Sequence, residues 1–168
     1  MAEQKIDKSR RNFLFGAVRR LKNQSAQGPL ASTAVCVETI KAANALYVDE
    51  AWEEARQQYK ACLVSDKNDP DVRYRLGVCL YRLGRYRQAK LELERALRIR
   101  PGHQDSFLYL GLTLVRLHRP EKAVAPWKRY FNPQAVAVQR ELNLQTGLIE
   151  EGAQVSPERV AQAGDLVG

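Results

Sequence analysis

The chain has 168 residues, of which 45% are hydrophobic and 27% charged, a composition typical of one globular domain with short tails and unlike that of a disordered chain. Its 27 Lys and Arg against 19 Asp and Glu give a net charge of +8, which suits nucleic acid, anionic lipid or an acidic protein and selects none of them. No run of about 18 apolar residues is present, so no membrane-spanning helix is predicted. Apolar residues recur at three- and four-residue steps, which predicts an all-α protein.

Residues 1–22 are predicted to form a basic amphipathic helix. Their seven Lys and Arg exceed their two acidic residues by five, and apolar residues recur along one side. Such a helix binds an anionic membrane surface or the groove of a partner protein. The residues predicted to make this contact are Arg10, Arg11, Phe13, Leu14, Val18 and Leu21.

Within this segment, the run Ser9-Arg10-Arg11-Asn12-Phe13-Leu14 resembles the twin-arginine export motif of bacterial redox proteins. An export signal continues into an apolar stretch and a small-residue cleavage site. Here seven uncharged residues are followed by Arg19 and Arg20, and residues 23–35 read as a polar linker. We therefore expect a cytoplasmic protein that sits beside such enzymes, peripherally on the cytoplasmic face of the membrane, rather than an exported one.

After the linker, the sequence repeats with a period of 34 residues. Leu76-Gly77 aligns with Leu110-Gly111, and the same offset relates several further columns. Two of these columns are Ala55, Ala89 and Ala123, and Tyr59, Leu93 and Trp127. Three units follow, at residues 36–69, 70–103 and 104–137. A fixed period of this length is typical of helical repeat proteins, in which each unit stacks on its neighbour.

Each unit reads as two helices joined by a turn. In the middle unit, Pro70 suits the first turn of a helix, and Gly84 suits the turn that ends it. The second helix is ended by Pro101-Gly102. In the third unit we expect Pro126 to kink the second helix, because proline removes a backbone donor.

The middle unit, L-G-x2-L … G-R-Y-x2-A-x3-L-x2-A-L-x3-P from Leu76 to Pro101, closely resembles a tetratricopeptide repeat. The resemblance covers residues 36–137, although the first unit has Ala42-Ala43 where the others have Leu-Gly. It implies a right-handed α-solenoid of three helical hairpins with a concave groove that binds peptides or protein surfaces.

In this family the first helix of each repeat lines the groove, and aromatic residues and Arg dominate interface energies. The residues predicted to bind a partner are Ile40, Asn44, Tyr47, Tyr74, Arg75, Val78, Tyr81, Arg82, Leu108, Tyr109, Leu112 and Arg116. Chaperone-binding members clamp a C-terminal carboxylate with Lys, Asn and Arg at set positions. Only Asn44 matches that pattern, so the sequence argues against a carboxylate clamp.

Behind the repeats, residues 138–168 are predicted to supply a capping helix and a C-terminal tail. Asn132-Pro133 reads as the start of a helix that reaches about Glu151, and Ser156-Pro157 as the start of a further short turn. Residues 133–168 carry a net charge of −3, which makes charge-guided assembly with basic segments plausible.

Cysteine and histidine spacing predicts no catalytic, metal or cofactor site. Cys36, Cys62 and Cys79 form no CxxC pair, and unpaired thiols favour a reducing compartment. His103 and His118 fall in predicted turns without nucleophile or triad partners. We therefore expect a protein that is not an enzyme and has no small-molecule substrate.

Three functions remain open from the sequence. The leading one is a protein–protein interaction scaffold or accessory subunit of a larger, bacterial, membrane-associated or redox complex. The alternative is an assembly or proofreading chaperone for a redox enzyme. The third is nucleic-acid binding, which the charge of +8 motivates but no nucleic-acid motif supports.

Overall fold

The computed structural model describes residues 29–153 and 155–165, with side chains from residue 37 onward except those of Ala161 and residues 163–165. The chain divides into two units, residues 1–37 and 38–168; the predictions for residues 1–22 lie outside the described part. Eight α-helices and one 3-10 turn make up the described elements. They are α1 (Pro29–Val48), α2 (Trp52–Ser65), α3 (Pro70–Arg82), α4 (Tyr86–Ile99), α5 (Gln104–Arg116), the 3-10 turn (Pro120–Lys122), α6 (Val124–Arg129), α7 (Val136–Glu150) and α8 (Pro157–Asp165).

Helix α1 begins earlier than the start of the first repeat. It starts at Pro29, so residues 29–35 of the segment read as a linker are helical. Proline needs no N–H partner in the first turn of a helix, and the following Leu-Ala-Ser-Thr-Ala contains two residues of the highest helix propensity. The polar composition of residues 23–35 therefore indicated a linker, although residues 29–35 are compatible with a helix.

The predicted solenoid of helical hairpins is confirmed: α1–α2, α3–α4 and α5–α6 follow one another along the chain. The turn of each hairpin contains one residue in the left-handed region. These residues are Glu50 with φ of 57°, Gly84 with φ of 71° and His118 with φ of 57°. They are spaced by the same 34 residues as the sequence columns, although only the middle turn uses glycine, which adopts this conformation without strain.

The third hairpin departs from the other two in its second helix. Where α4 has 14 residues, its counterpart is divided into the 3-10 turn and α6, which has six. Pro126 is the third residue of α6, where its missing N–H interrupts no hydrogen bond. The chain thus accommodates Pro126 by starting a new helix before it, and instead of the expected kink the second helix is divided at Ala123 into a 3-10 turn and α6.

Between the two helices of the middle and third hairpins, a glycine lies opposite a large buried side chain. A Cβ on Gly77 would lie 2.8 Å from Cγ of Leu93, and a Cβ on Gly111 would lie 2.0 Å from Nε1 of Trp127. Leu93 and Trp127 are buried directly against these glycines. The Leu-Gly pair therefore recurs because the opposing side chain needs the space.

The middle and third hairpins are joined by a polar cluster around His103. The His103 Nδ1 accepts from the Ser106 N–H at 3.2 Å, so Nε2 carries the proton and donates to Asp71 at 3.1 Å. Arg100 donates two hydrogen bonds to the same carboxylate. The bonds from Arg100, and then that from His103, lower the pKa of Asp71. His103 is thus a structural helix cap.

Helices α7 and α8 follow the third hairpin in the chain and pack against each other. Asn132 caps the turn that precedes α7 by accepting from the Gln134 N–H at 3.0 Å, and α7 itself begins at Val136. The Oε1 of buried Gln145 accepts from the Ser156 N–H at 2.9 Å. Val160 of α8 is fully buried, so α8 is a packed helix rather than a short turn.

The two cysteines whose side chains are described, Cys62 and Cys79, are buried. Burial raises the pKa of Cys79 to about 12, so the thiol is protonated and unreactive at neutral pH. Cys62 and Cys79 therefore act as packing residues. Cys36 lies outside the described side chains.

Candidate functional site

The first helices of the three hairpins, α1, α3 and α5, place a polar centre and a row of aromatic rings together. At the polar centre, the Oδ1 of Asn44 accepts from the Tyr59 hydroxyl at 2.8 Å and from Arg75 Nη1. The Arg75 guanidinium carbon also lies 5.9 Å from the centroid of the Tyr47 ring, within range of a cation–π interaction. Arg75 is thereby held in place while its side chain stays partly exposed.

Tyrosine rings continue from this centre across the hairpins. Tyr74 of α3 lies 6.0 Å from Tyr109 of α5, and Tyr109 lies 5.7 Å from Tyr81, both measured between ring centroids. At the other end, Tyr47 meets Trp52 edge-to-face at 5.3 Å. These spacings are those of favourable aromatic pairs. We call the partly exposed set Asn44, Tyr47, Tyr74, Arg75 and Tyr109 the tyrosine face.

The phenols of Tyr47 and Tyr74 in the tyrosine face are neutral over the physiological range. Burial, followed by the nearby phenol of Tyr109, raises the pKa of Tyr47. Burial also raises the pKa of Tyr74, and the phenols of Tyr47 and Tyr109 raise it further. Neutral phenols both donate and accept hydrogen bonds, so the face offers polar contacts without negative charge.

Four of the twelve residues predicted to line the groove are buried, which corrects their assignment. Val78 and Leu112 are each 1% exposed, and Tyr81 and Leu108 are also in the core. Helix α3 packs against α2, α4 and α5, and α5 packs against α3, α4, α6 and α8, and this packing covers these residues. They support the site from beneath and offer no surface to a partner.

The remaining predicted residues are exposed to different degrees. Ile40, Asn44 and Tyr47 of α1 and Tyr74 of α3 are partly exposed. In the middle and third hairpins the exposed columns are Arg75 with Tyr109, and Arg82 with Arg116. On α3 and α5 the accessible predicted residues are thus these two columns together with Tyr74.

Two of the three arginines at the site have further contacts. Arg82 lies over the Trp52 ring, with its guanidinium carbon 5.5 Å from the centroid. Arg116 forms an ion pair with Glu158 of α8 at 2.6 Å, and its charge is close enough to Tyr81 to oppose the rise in that tyrosine's pKa caused by burial. Helix α8 therefore engages Arg116 from within the chain.

Sequence reasoning missed the roles of Tyr59 and Glu158. Tyr59 shares a column with Leu93 and Trp127, and its hydroxyl donates to Asn44. The available signal was a hydroxyl-bearing residue in a column whose other members have no hydroxyl. Glu158 is 42 positions from Arg116, and no local pattern relates them.

Neither catalytic metal chemistry nor membrane insertion is indicated by the described residues. Among them, no group of three or more His, Cys, Asp or Glu side chains could hold a metal ion. In the same part of the chain, every helix is too short or too polar to cross a bilayer.

Stacked hairpins that repeat every 34 residues and present aromatic and arginine side chains from their first helices define a helical repeat protein. Residues 49–110 match the family model described as tetratricopeptide repeat, and the chain therefore contains tetratricopeptide repeats. Comparison of the sequence with curated proteins gave no match.

Solved structures of similar fold agree with this assignment. MamA gives a TM-score of 0.62 at 17% identity, covering 99% of this chain and 94% of its own. The first repeat domain of Spaghetti (RPAP3), bound to the HSP90 peptide SRMEEVD, gives 0.58 at 16% identity, covering 65% and 90%. The type III secretion translocator chaperone SycD of Yersinia enterocolitica gives 0.56 at 16% identity, covering 80% and 92%. At these identities the likeness concerns the fold.

Proposed function

We propose that this protein is a non-catalytic scaffold whose tyrosine face binds a segment of a partner protein. The observation that carries the proposal is the row of partly exposed tyrosines beside a fixed arginine, Arg75. Tyrosine and arginine are the residue types enriched among binding hot spots. Their mutual contacts pre-order them, which reduces the entropy lost when a partner docks.

The fold of the neighbours supports a peptide-like partner. The Spaghetti domain is bound to an HSP90 peptide, and SycD is a translocator chaperone. This chain lacks most of the carboxylate-clamp pattern, since Ile40, Asp105 and Tyr109 stand where the family has other residues. We therefore propose an internal segment, helical or extended, with apolar and hydrogen-bonding side chains as the bound element.

Substitution of Arg75 tests the tyrosine face. Arg75→Ala should weaken binding of the co-isolated partner by at least about 10-fold, or about 1.4 kcal/mol. The fold should survive, because Asn44 keeps its hydrogen bond from Tyr59. The matched control is Arg87→Ala, an exposed arginine on α4. Affinity would be measured with purified partner, and equal affinity of both variants would contradict the assignment.

A permanent subunit and an assembly chaperone differ in stoichiometry. We favour an accessory subunit of a larger membrane-associated or redox complex, as suggested by the resemblance of residues 9–14 to the twin-arginine motif. Isolation of the tagged protein in mild detergent should then give equimolar partner subunits. A substoichiometric mixture of enzyme precursors would instead indicate the chaperone function, and nucleic acid alone would indicate the third alternative.

Membrane contact through residues 1–22 is a separate proposal. Their apolar stripe and surplus of five positive charges suit the cytoplasmic face of an anionic membrane. Changing Phe13 and Leu14 to Asp should move most of the protein from the membrane fraction to the supernatant on sedimentation. The same fraction on the membrane as for the unchanged protein would mean that any attachment runs through the partner.

A further inference from the structure

A cleft of about 540 Å³ lies between α2 and α4, the second helices of the first two hairpins, with α3 beneath it. Leu76 and Leu80 of α3 form its floor, and Leu63 and Leu91 line the two walls. A volume of this size is in the range of ligand-binding pockets. Leu91 is 44% exposed, so the apolar lining continues onto the surface.

The walls of the cleft are single faces of helices. Along α2 and the turn after it, the lining residues fall on one helix face, at positions i, i+4, i+7, i+8 and i+11: Arg56, Lys60, Leu63, Val64 and Lys67. Along α4, the lining residues also fall on one face: Gln88, Leu91, Glu92 and Arg95. Two parallel faces with apolar centres form a groove of the kind in which an amphipathic helix lies.

An ion-pair cluster fixes the shape of the cleft. Glu92 accepts from Arg73 of α3 and from Arg95, each at 2.6 Å. Arg73 also donates to the Lys67 carbonyl oxygen, which ties the turn after α2 to α3. Arg73 and Glu92 are largely buried, so this cluster is part of the cleft rather than a mobile surface pair.

The charges left over at the cleft are positive. Arg73 and Arg95 share the single carboxylate of Glu92, which neutralises one of their two charges, and Arg56 pairs with Glu53 at 2.5 Å. Lys60 and Lys67 line the same cleft and are exposed, and within the described part of the chain their ammonium groups have no carboxylate partner. An apolar groove with two uncompensated cations on one rim is complementary to an apolar segment flanked by carboxylates.

We propose that this cleft is a second protein-binding surface, which takes an amphipathic helical segment with aliphatic side chains on one face and Asp or Glu beside them. The aliphatic side chains would enter between Leu63 and Leu91, and the carboxylates would meet Lys60 and Lys67. The basic residues 1–22 of this chain have the wrong charge for the site. The proposal is independent of the tyrosine face, because none of its residues belongs to that face.

The test uses a labelled amphipathic peptide of about 14 residues with Leu at i, i+4 and i+7 and Glu on both flanks. Comparison peptides replace Glu by Lys, or Leu by Ser. At about 0.15 M salt, where long-range attraction is screened, only the Glu-Leu peptide should bind in fluorescence anisotropy. In NMR spectra of the protein, the shifted amides should surround Leu63 and Leu91.

Matched variants separate the cleft from the overall charge. Lys60→Glu with Lys67→Glu should weaken peptide binding at least about 10-fold, whereas Arg87→Glu with Arg98→Glu, which makes the same change of net charge outside the cleft, should weaken it less than about threefold. Leu91→Ser should also weaken it, and Leu144→Ser, at a site of similar exposure on α7, should not.

Three results would overturn the proposal. One is equal loss in both charge-reversed pairs, which would reveal attraction to the overall charge. Another is a set of shifted amides on the tyrosine face rather than at the cleft. The third is that the Glu-Leu peptide does not bind whereas anionic phosphatidylglycerol vesicles do, and that Lys60→Glu with Lys67→Glu abolishes the binding of the vesicles. Loss of partner binding in Arg75→Ala would leave all of these readouts unchanged, so the two proposals fail separately.

Discussion

Replacing Gly111 by alanine is expected to lower the free energy of unfolding by about 3 kcal/mol, at the upper end of overpacking effects. The new Cβ would lie 2.0 to 2.5 Å from three atoms of the Trp127 ring. Trp127 is 2% exposed and donates from Nε1 to the Leu108 carbonyl at 3.2 Å. The indole therefore has no free space to enter, and moving it would also break a buried hydrogen bond.

Gly147 supplies the matched control for this substitution. It lies inside α7, and a Cβ there would have no heavy atom within 4 Å. Gly147→Ala should therefore raise stability by up to about 1 kcal/mol through helix propensity alone. Urea denaturation followed by circular dichroism measures both variants. A Gly111→Ala protein within about 0.5 kcal/mol of the parent would contradict the packing described between α5 and α6.

Raising the pH above about 10 is expected to unfold the protein steeply through its tyrosines. Burial raises the pKa values of Tyr47, Tyr59, Tyr74, Tyr81 and Tyr130. Their contribution to stability is complete below the unfolded pKa and is lost as the pH rises toward the folded pKa. Each tyrosine that stays neutral in the folded state lowers the free energy of unfolding by about 1.4 kcal/mol per pH unit above pH 10.

Phenolate absorbance measures this effect during a pH titration. We expect the five tyrosines with raised pKa values to ionise together with the loss of helical circular dichroism. Tyr74→Phe keeps the ring and removes one titrating group, so the alkaline slope of stability should fall by about 1.4 kcal/mol per pH unit. Independent ionisation of all seven tyrosines in a protein that remains folded would show that the tyrosine cluster is open to water.

The repeat architecture was predictable because the residues that pack together occupy the same positions in successive sequence repeats. Gly77 with Leu93 and Gly111 with Trp127 are pairs in which a missing side chain makes room for a large one, and both recur at the same spacing in the sequence. The turn residues Glu50 and His118 carry no such signal. Their left-handed conformation is imposed by the hairpin geometry and not by their own preference.

The binding surfaces were less predictable, since they depend on how helices rotate against their neighbours. Predicted residues three positions apart on one helix differ in exposure: Val78 and Leu112 are buried, whereas Arg75 and Tyr109 are partly exposed. The period of 34 is the same for both pairs. A periodic pattern likewise does not predict contacts between distant segments, such as Arg116 with Glu158. Nor does it predict a cleft formed by two second helices.

The central claim is that the tyrosine face contacts the partner protein. Its most direct test is site-specific photo-crosslinking in cells, with a photoreactive phenylalanine analogue at position 47, where it keeps the aromatic ring of Tyr47, and, as the control, at exposed position 87 of α4. We expect position 47 to crosslink to the subunit that co-isolates with the unchanged protein, and position 87 to give no such product. Crosslinking from position 87 with none from position 47 would contradict the central claim.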